Sequence, residues 1–183
     1  SNVRDTRGSD ERLTLEERRL NARERVLIEG AVELKAEGNA LHANEEFEGA
    51  RDCYMRAQMR LVDCGSPAAE LVWKSCALNL ASCQLRLSLF NDAIETCGVV
   101  LTRDANNVKA CYRRALALRQ LSRIAAARHD VQESERLLLD SLADVSRAQS
   151  FQPADASIET ACGEIRSQVE LLRKERDSSQ RPW

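Results

Sequence analysis

At 183 residues and a formal net charge of −2, the chain is long enough to bury a real core as one domain or a short repeat array. Seven Gly, three Pro and 4% aromatics, in a chain dominated by Ala, Leu, Glu and Arg, favour helix and exclude β-sandwich or collagen-like classes. The near-neutral balance speaks against a nucleic-acid binder, and no run approaches the roughly 18 apolar residues of a membrane span. With no signal-peptide pattern, the chain reads as soluble and cytoplasmic, without nucleic-acid or membrane partners.

Residues 1–13 read as a polar linker, and the chain as a piece of a larger protein. Helix signals begin at Thr14, where Thr14-Leu15-Glu16-Glu17 fits a capping box. Leu20, Leu27, Ala31 and Leu34 then mark an apolar stripe, predicting one extended helix to about Ala43 with a bend near Gly30. A second helix is predicted from Glu45 to Asp63, closed by Cys64-Gly65-Ser66-Pro67, where Gly ends one helix and Pro opens the next. Further helices are predicted over 68–88, 91–103, 107–121 and 124–147. After Gln152-Pro153, the period of Ile158, Cys162, Ile165, Val169 and Leu172 predicts a last helix within 154–177. No stretch alternates as a strand would.

The seven Cys form no CxxC pair, and their odd number fits neither a disulfide framework nor a zinc site. Most sit in helical pattern beside Ala or Leu, where Cys acts as a small buried hydrophobe. No acidic dyad, metal-ligand spacing or Gly-rich phosphate loop is present, so no enzyme, cofactor or metal is expected. His42 and His129 read as surface or edge residues.

The helices fall into pairs. Phe47-Glu48-Gly49-Ala50 aligns with Phe90-Asn91-Asp92-Ala93 and with Ile124-Ala125-Ala126-Ala127, and 34 residues separate Ala93 from Ala127. Ala57, Val100 and Ser134 follow these alanines by seven residues, and Gly38, Ala81 and Ala115 precede them by twelve. Small residues at facing offsets let two antiparallel helices approach closely. This is the tetratricopeptide-repeat (TPR) pattern. It predicts an all-α, right-handed solenoid of three helix pairs (about 31–64, 74–107 and 108–141, within 14–147), with an extended N-terminal helix and a C-terminal capping helix.

The first helix of each pair lines the concave face of such an array. Lys35 and Asn39 stand one turn apart there, as do Lys109 and Arg113, with Asn79 between the two cationic clusters. That set forms a receptor for a ligand carrying carboxylates. Lysine is otherwise scarce: Lys35 and Lys109 are two of only four, against 23 arginines. Lys is a compact, rotatable point charge and Arg a planar fork, so the choice matters in a tight pocket. Arg86 is a weaker candidate for upstream contact, and Arg114, one residue off the stripe, is expected to pair with the preceding helix. The run Leu137-Leu138-Leu139 with Leu142 and Val145 reads as core under the last helix or, alternatively, as a self-association face.

The segments Lys35-Ala36-Glu37-Gly38-Asn39, Leu78-Asn79 and Lys109-Ala110-Cys111-Tyr112-Arg113 resemble the two-carboxylate clamp of heat-shock co-chaperone TPR domains. They are most similar to the C-terminal TPR domain of the large immunophilins. The resemblance implies a non-enzymatic adaptor that binds the Glu-Glu-Val-Asp C-terminus of heat-shock protein 90 or 70. The alternative is a structural TPR scaffold that binds an internal segment or itself.

Overall fold

The computed structural model describes residues 15–179, with side chains from 21 to 174 and at Arg176. The polar stretch 1–13 and the Thr14 cap lie outside the described residues. Seven helices and no strand occupy the described chain: α1 (Leu15–Ala43), α2 (Phe47–Arg60), α3 (Pro67–Arg86), α4 (Phe90–Arg103), α5 (Val108–Ala127), α6 (Val131–Phe151) and α7 (Ala156–Ser179). None of them is long and apolar enough to cross a membrane.

Local chemistry sets the ends. Ser66 accepts from the Ala69 amide at 3.2 Å with Pro67 in the first turn, and Asn107 and Asp130 do the same for Ala110 and Glu133 at 3.0 and 3.1 Å. The turns inside the three helix pairs share one backbone geometry. Glu45, Ser88 and His129 adopt φ of 63°, 60° and 62°. The next amide in each turn then bonds five residues back, Glu46 to Leu41, Leu89 to Gln84 and Asp130 to Ala125. The repeat is therefore written in its turns, with residues other than Gly in the left-handed region.

Those turns correct the predicted register of the third pair. A helix start at 124 is not observed: α5 continues through Ala127, six residues beyond the predicted end at 121, and α6 begins at Val131, seven residues or about two turns later than predicted. The counterpart of Ala50 and Ala93 is Ser134, not Ala127; all three are buried behind equivalent turns. Twelve residues before Ser134 lies Ser122, whose hydroxyl donates to the Ser134 carbonyl at 2.8 Å. Seven residues after it lies Ser141, which donates to the Ala115 carbonyl at 2.7 Å. Small serines stand where α5 meets α6, and each buried hydroxyl finds a partner, that of Ser134 being the Ser122 hydroxyl at 3.0 Å.

Close approach is clearest at Gly38. A Cβ there would lie 2.9 Å from the Tyr54 ring and 3.2 Å from the Cys53 Cβ, so only Gly lets α1 settle onto α2. The predicted first helix runs unbroken through Gly30.

α1, α3 and α5 pack side by side as one layer, with α2 against α1 and α3, α4 against α3 and α5, and α6 against α5. One core cluster joins α1, α2 and α3 through Leu34, Tyr54, Leu61 and Leu80. A larger one joins α3 to α7 through Val100, Leu138, Val145, Ile158, Ile165 and Val169. The α7 stripe read from the sequence thus covers α5 and α6. Leu137, Leu138 and Val145 are spent in the interior, and Leu139 alone of the leucine run reaches the surface. Six of the seven cysteines are buried and all are free thiols, as small hydrophobes in helical pattern should be.

Candidate functional site

The layer of first helices carries a polar cluster assembled from four elements. Asn39 projects from α1, and its Oδ1 accepts twice, from the Tyr54 hydroxyl of α2 at 2.8 Å and from Asn79 Nδ2 of α3 at 3.0 Å. Two hydrogen bonds to one oxygen fix the amide's orientation and leave the Asn39 Nδ2 protons for something outside the protein. Asn in a helix interior carries a propensity penalty, and here two of them are tied together across helices.

Arg113 enters from α5. Its guanidinium donates to the Leu78 carbonyl, the residue before Asn79, so the cation is held over the same stretch of α3. No carboxylate of the described residues pairs with it. Burial pushes its pKa below the ordinary guanidinium range, and the nearby Cys97, Cys83 and Tyr54, negative once ionised, oppose that push. Arg113 still stays protonated near neutral pH. It is a half-buried positive charge with no acidic partner among the described residues.

Lys35, one turn before Asn39, is half-buried, and Lys109, one turn before Arg113, is exposed. Neither forms an ion pair among the described residues. Lys35 lies close enough to Cys76 to draw that thiol's pKa down, although burial dominates and holds it at about 11. Several cations elsewhere are paired. Lys74 pairs with Asp104 at 3.0 Å, Arg103 with Glu70 at 2.8 Å, and Arg119 with Glu164 at 2.6 Å.

One sequence expectation changes. Arg114 pairs not with the preceding helix but with the following one: it grips both oxygens of Asp144 on α6, at 2.6 and 2.7 Å. Arg86 lies over the Phe47 ring, 4.4 Å from its centre, with Glu45 at 3.8 Å, and stays exposed beside the turn between α1 and α2. His42 is half-buried between α1 and α3, 3.3 Å from the Ser82 hydroxyl, and His129 is an exposed turn residue.

Sequence reasoning missed Tyr54. Its signal was present: four residues after Ala50, it lies on the α2 face turned to α1. It is 1% exposed, and burial holds its pKa up at about 12, so the hydroxyl stays a donor. Among the described residues, no group of His, Cys, Asp and Glu could hold a metal ion.

The helix pairs, the shared turns and the small residues at their facing positions define a TPR domain. Comparison with known proteins agrees. The C-terminal TPR-containing domain of a Plasmodium falciparum FK506-binding protein superposes with a TM-score of 0.68 at 23% identity, covering 82% of this chain and 95% of that one. The first TPR domain of Spaghetti (RPAP3), solved bound to the HSP90 peptide SRMEEVD, gives 0.55 at 20% identity, over 78% and 94%. In sequence, Outer envelope protein 61 of Arabidopsis thaliana is 32% identical over 142 residues, which are 78% of this chain and 23% of that protein. The chain spans between about a quarter and a third of the length of the first curated relatives it matches. No family model matches it. The chain is a TPR domain like the C-terminal TPR domain of immunophilins.

Proposed function

We propose that this domain is a co-chaperone adaptor whose inner face binds the free C-terminus of an acidic Glu-Glu-Val-Asp peptide, as carried by heat-shock protein 90 or 70. The observation that carries this reading is the charge imbalance of the inner face. Lys35, Lys109 and Arg113 have no acidic partner among the described residues, and they flank a hydrogen-bonded Asn39–Asn79 pair. The peptide bound to the structurally similar RPAP3 domain ends in Glu-Glu-Val-Asp, which lends the reading its ligand.

A terminal Asp offers two carboxylates on one residue. Lys35 with the free amide protons of Asn39 and Asn79 would take one, and Lys109 with Arg113 the other or the adjoining backbone. Each charge-assisted hydrogen bond contributes about 1.5–3 kcal/mol, and ordering a flexible peptide offsets part of the gain. The expected Kd is therefore on the order of 1 μM, about −8 kcal/mol. Arg113 needs little reorganisation, because the Leu78 carbonyl already holds it.

Calorimetry with a Met-Glu-Glu-Val-Asp peptide and its C-terminal amide tests the reading. Saturable binding of the acid, at least tenfold weaker binding of the amide and loss of binding in Lys109→Ala would support it. Equal binding of acid and amide would show a scaffold without carboxylate recognition. Raising the salt concentration should weaken the interaction, because Lys109 is exposed to screening.

A further inference from the structure

The opposite layer holds a feature that the peptide clamp does not use. Where α2 and α4 spread apart over α3, they leave a trough of about 570 Å³. Its floor is the stripe Trp73, Leu80 and Gln84 of α3, and one wall is Met55 and Met59 of α2 with Val62 of the turn that follows it. Those wall residues are 43%, 73% and 72% exposed and line one side of the trough as an apolar strip.

Two polar observations say what would fill it. Gln84 is 6% exposed, and its Oε1 has no hydrogen-bond partner, the one buried side-chain polar atom so left among the described residues. A buried acceptor without a donor costs stability, and native proteins keep few of them. The lining also carries three acids, Asp52, Asp92 and Glu95, against one arginine, which leaves two negative charges. Arg51 is spent on Asp52 at 2.8 Å, so Asp92 and Glu95 face solvent without an ion pair among the described residues.

We propose that this trough is a second peptide site, which takes a short extended segment of a partner protein with alternating apolar and basic residues. Apolar side chains lie against Met55, Met59 and Trp73, a main-chain N–H donates to Gln84 Oε1, and a Lys or Arg pairs with Asp92 or Glu95. An extended segment fits better than a helix, whose interior N–H groups are already used in its own hydrogen bonds. From Trp73 to Gln84 the floor is about 16 Å long, room for about five extended residues. The ligand's charge is opposite to that of the acidic C-terminus proposed for the inner face. One domain could then hold a chaperone tail and a basic segment at the same time.

The site has a built-in reporter. Trp73 lines the trough, and Trp183 is the only other tryptophan, so Trp183→Phe leaves a single emitter. The probes are two pools of acetylated, amidated hexapeptides with Leu, Ile, Val, Phe or Met at alternate positions. The intervening positions are Lys and Arg in one pool and Glu in the other. The basic pool should change Trp73 emission saturably in the range of about 0.1–1 mM, typical of a weak short-peptide site. The acidic pool should bind at least tenfold more weakly.

Met59→Asp, at an exposed position that folding should tolerate, should remove the response, and Asp92→Asn with Glu95→Gln should erase the preference for basic peptides. Gln84→Met should weaken binding about fivefold while raising the melting temperature by a few degrees. Because the probes lack a free carboxylate, Arg113→Ala should leave the response intact, so failure of the clamp and failure of the trough are read separately. No saturable response from the basic pool, equal binding of the acidic pool, or an unchanged response in Met59→Asp would each overturn the proposal.

Discussion

Arg113 and Arg114 are neighbours in the chain, and both guanidiniums are substantially shielded from water, yet they do opposite jobs. Arg114 meets Asp144 through two short, parallel hydrogen bonds, and that contact raises its pKa. Arg113 meets a backbone carbonyl and three neutral polarisable groups, and burial lowers its pKa. The first is a completed ion pair that ties α5 to α6. The second is half of one. One residue of helical offset, about 100° of rotation, separates the interface between helices from the face left open to a ligand. The difference teaches that charge alone does not mark a binding residue. The mark we propose is a shielded charge with no acidic partner among the described residues.

The comparison holds only while the core under both arginines stays neutral, so alkaline pH is the most drastic way to break it. Burial holds Cys76 and Cys83 up at about 11, and Cys97 and Tyr54 at about 12, against ordinary values of 9 for the thiol and 10 for the phenol. Folded pKa values above the unfolded ones mean that the unfolded chain loses its protons first. The stability these groups contribute is fully present below pH 9 and falls as pH rises through 12. Thermal melts from pH 7 to 12 should show a plateau followed by a steep decline above pH 9. A melting temperature that stays level to pH 11 would contradict the buried thiol core.

Single substitutions then separate the two arginines. Asp144→Ala leaves Arg114 shielded and unpaired, which should cost about 3 kcal/mol and lower the melting temperature by about 6–12 °C. Peptide affinity measured well below that temperature should not change. Arg113→Ala should do the reverse. It removes a half-buried cation that lacks an acidic partner among the described residues, so the melting temperature should stay within about 2 °C or rise, while peptide affinity falls about 10–100-fold. If Arg113→Ala unfolds the domain or leaves the affinity intact, the contrast between the neighbours is wrong.

The same contrast shows what could be read from the sequence. The helices, the pairing and the small residues at Gly38, Ala50, Ala81 and Ala93 follow from apolar period and spacing, and the structure has them buried in the expected pairs. The third pair misled because Val131-Gln132-Glu133-Ser134 lacks the Phe and the Ala that open α2 and α4. His129 takes the left-handed position itself, and Ile124-Ala125-Ala126-Ala127 imitates the start of a helix. Ser122 and Ser141 carry no periodic signal that marks them as core, and they fit there through the backbone carbonyls they meet. For Arg114, spacing indicated that it leaves the inner face but not which neighbouring helix it meets, since helix faces do not specify the direction of packing. Lys35, Asn39, Asn79, Lys109 and Arg113 could be aligned by repeat spacing alone. The hydrogen bonds of Tyr54 could not, because they join α1, α2 and α3, whose relative placement depends on tertiary packing.

Tyr54 therefore offers the finest test of the open face. Its hydroxyl contacts no ligand position directly; it holds Asn39, which in turn holds Asn79. Tyr54→Phe keeps the ring packed against Gly38 and removes one of the two donors to Asn39 Oδ1. The amide can then turn over, so a fraction of molecules would present an oxygen where a carboxylate needs a proton. A single neutral hydrogen bond is worth about 0.5–1.5 kcal/mol, which predicts a threefold to tenfold loss of peptide affinity. Packing is conserved, so the melting temperature should fall by only a few degrees. A purely structural role would lower stability without changing affinity per folded molecule. Combining Tyr54→Phe with Asn39→Ala then decides between the two roles. Positioning through Asn39 makes the second loss no larger than that of Asn39→Ala alone, whereas independent contributions would add.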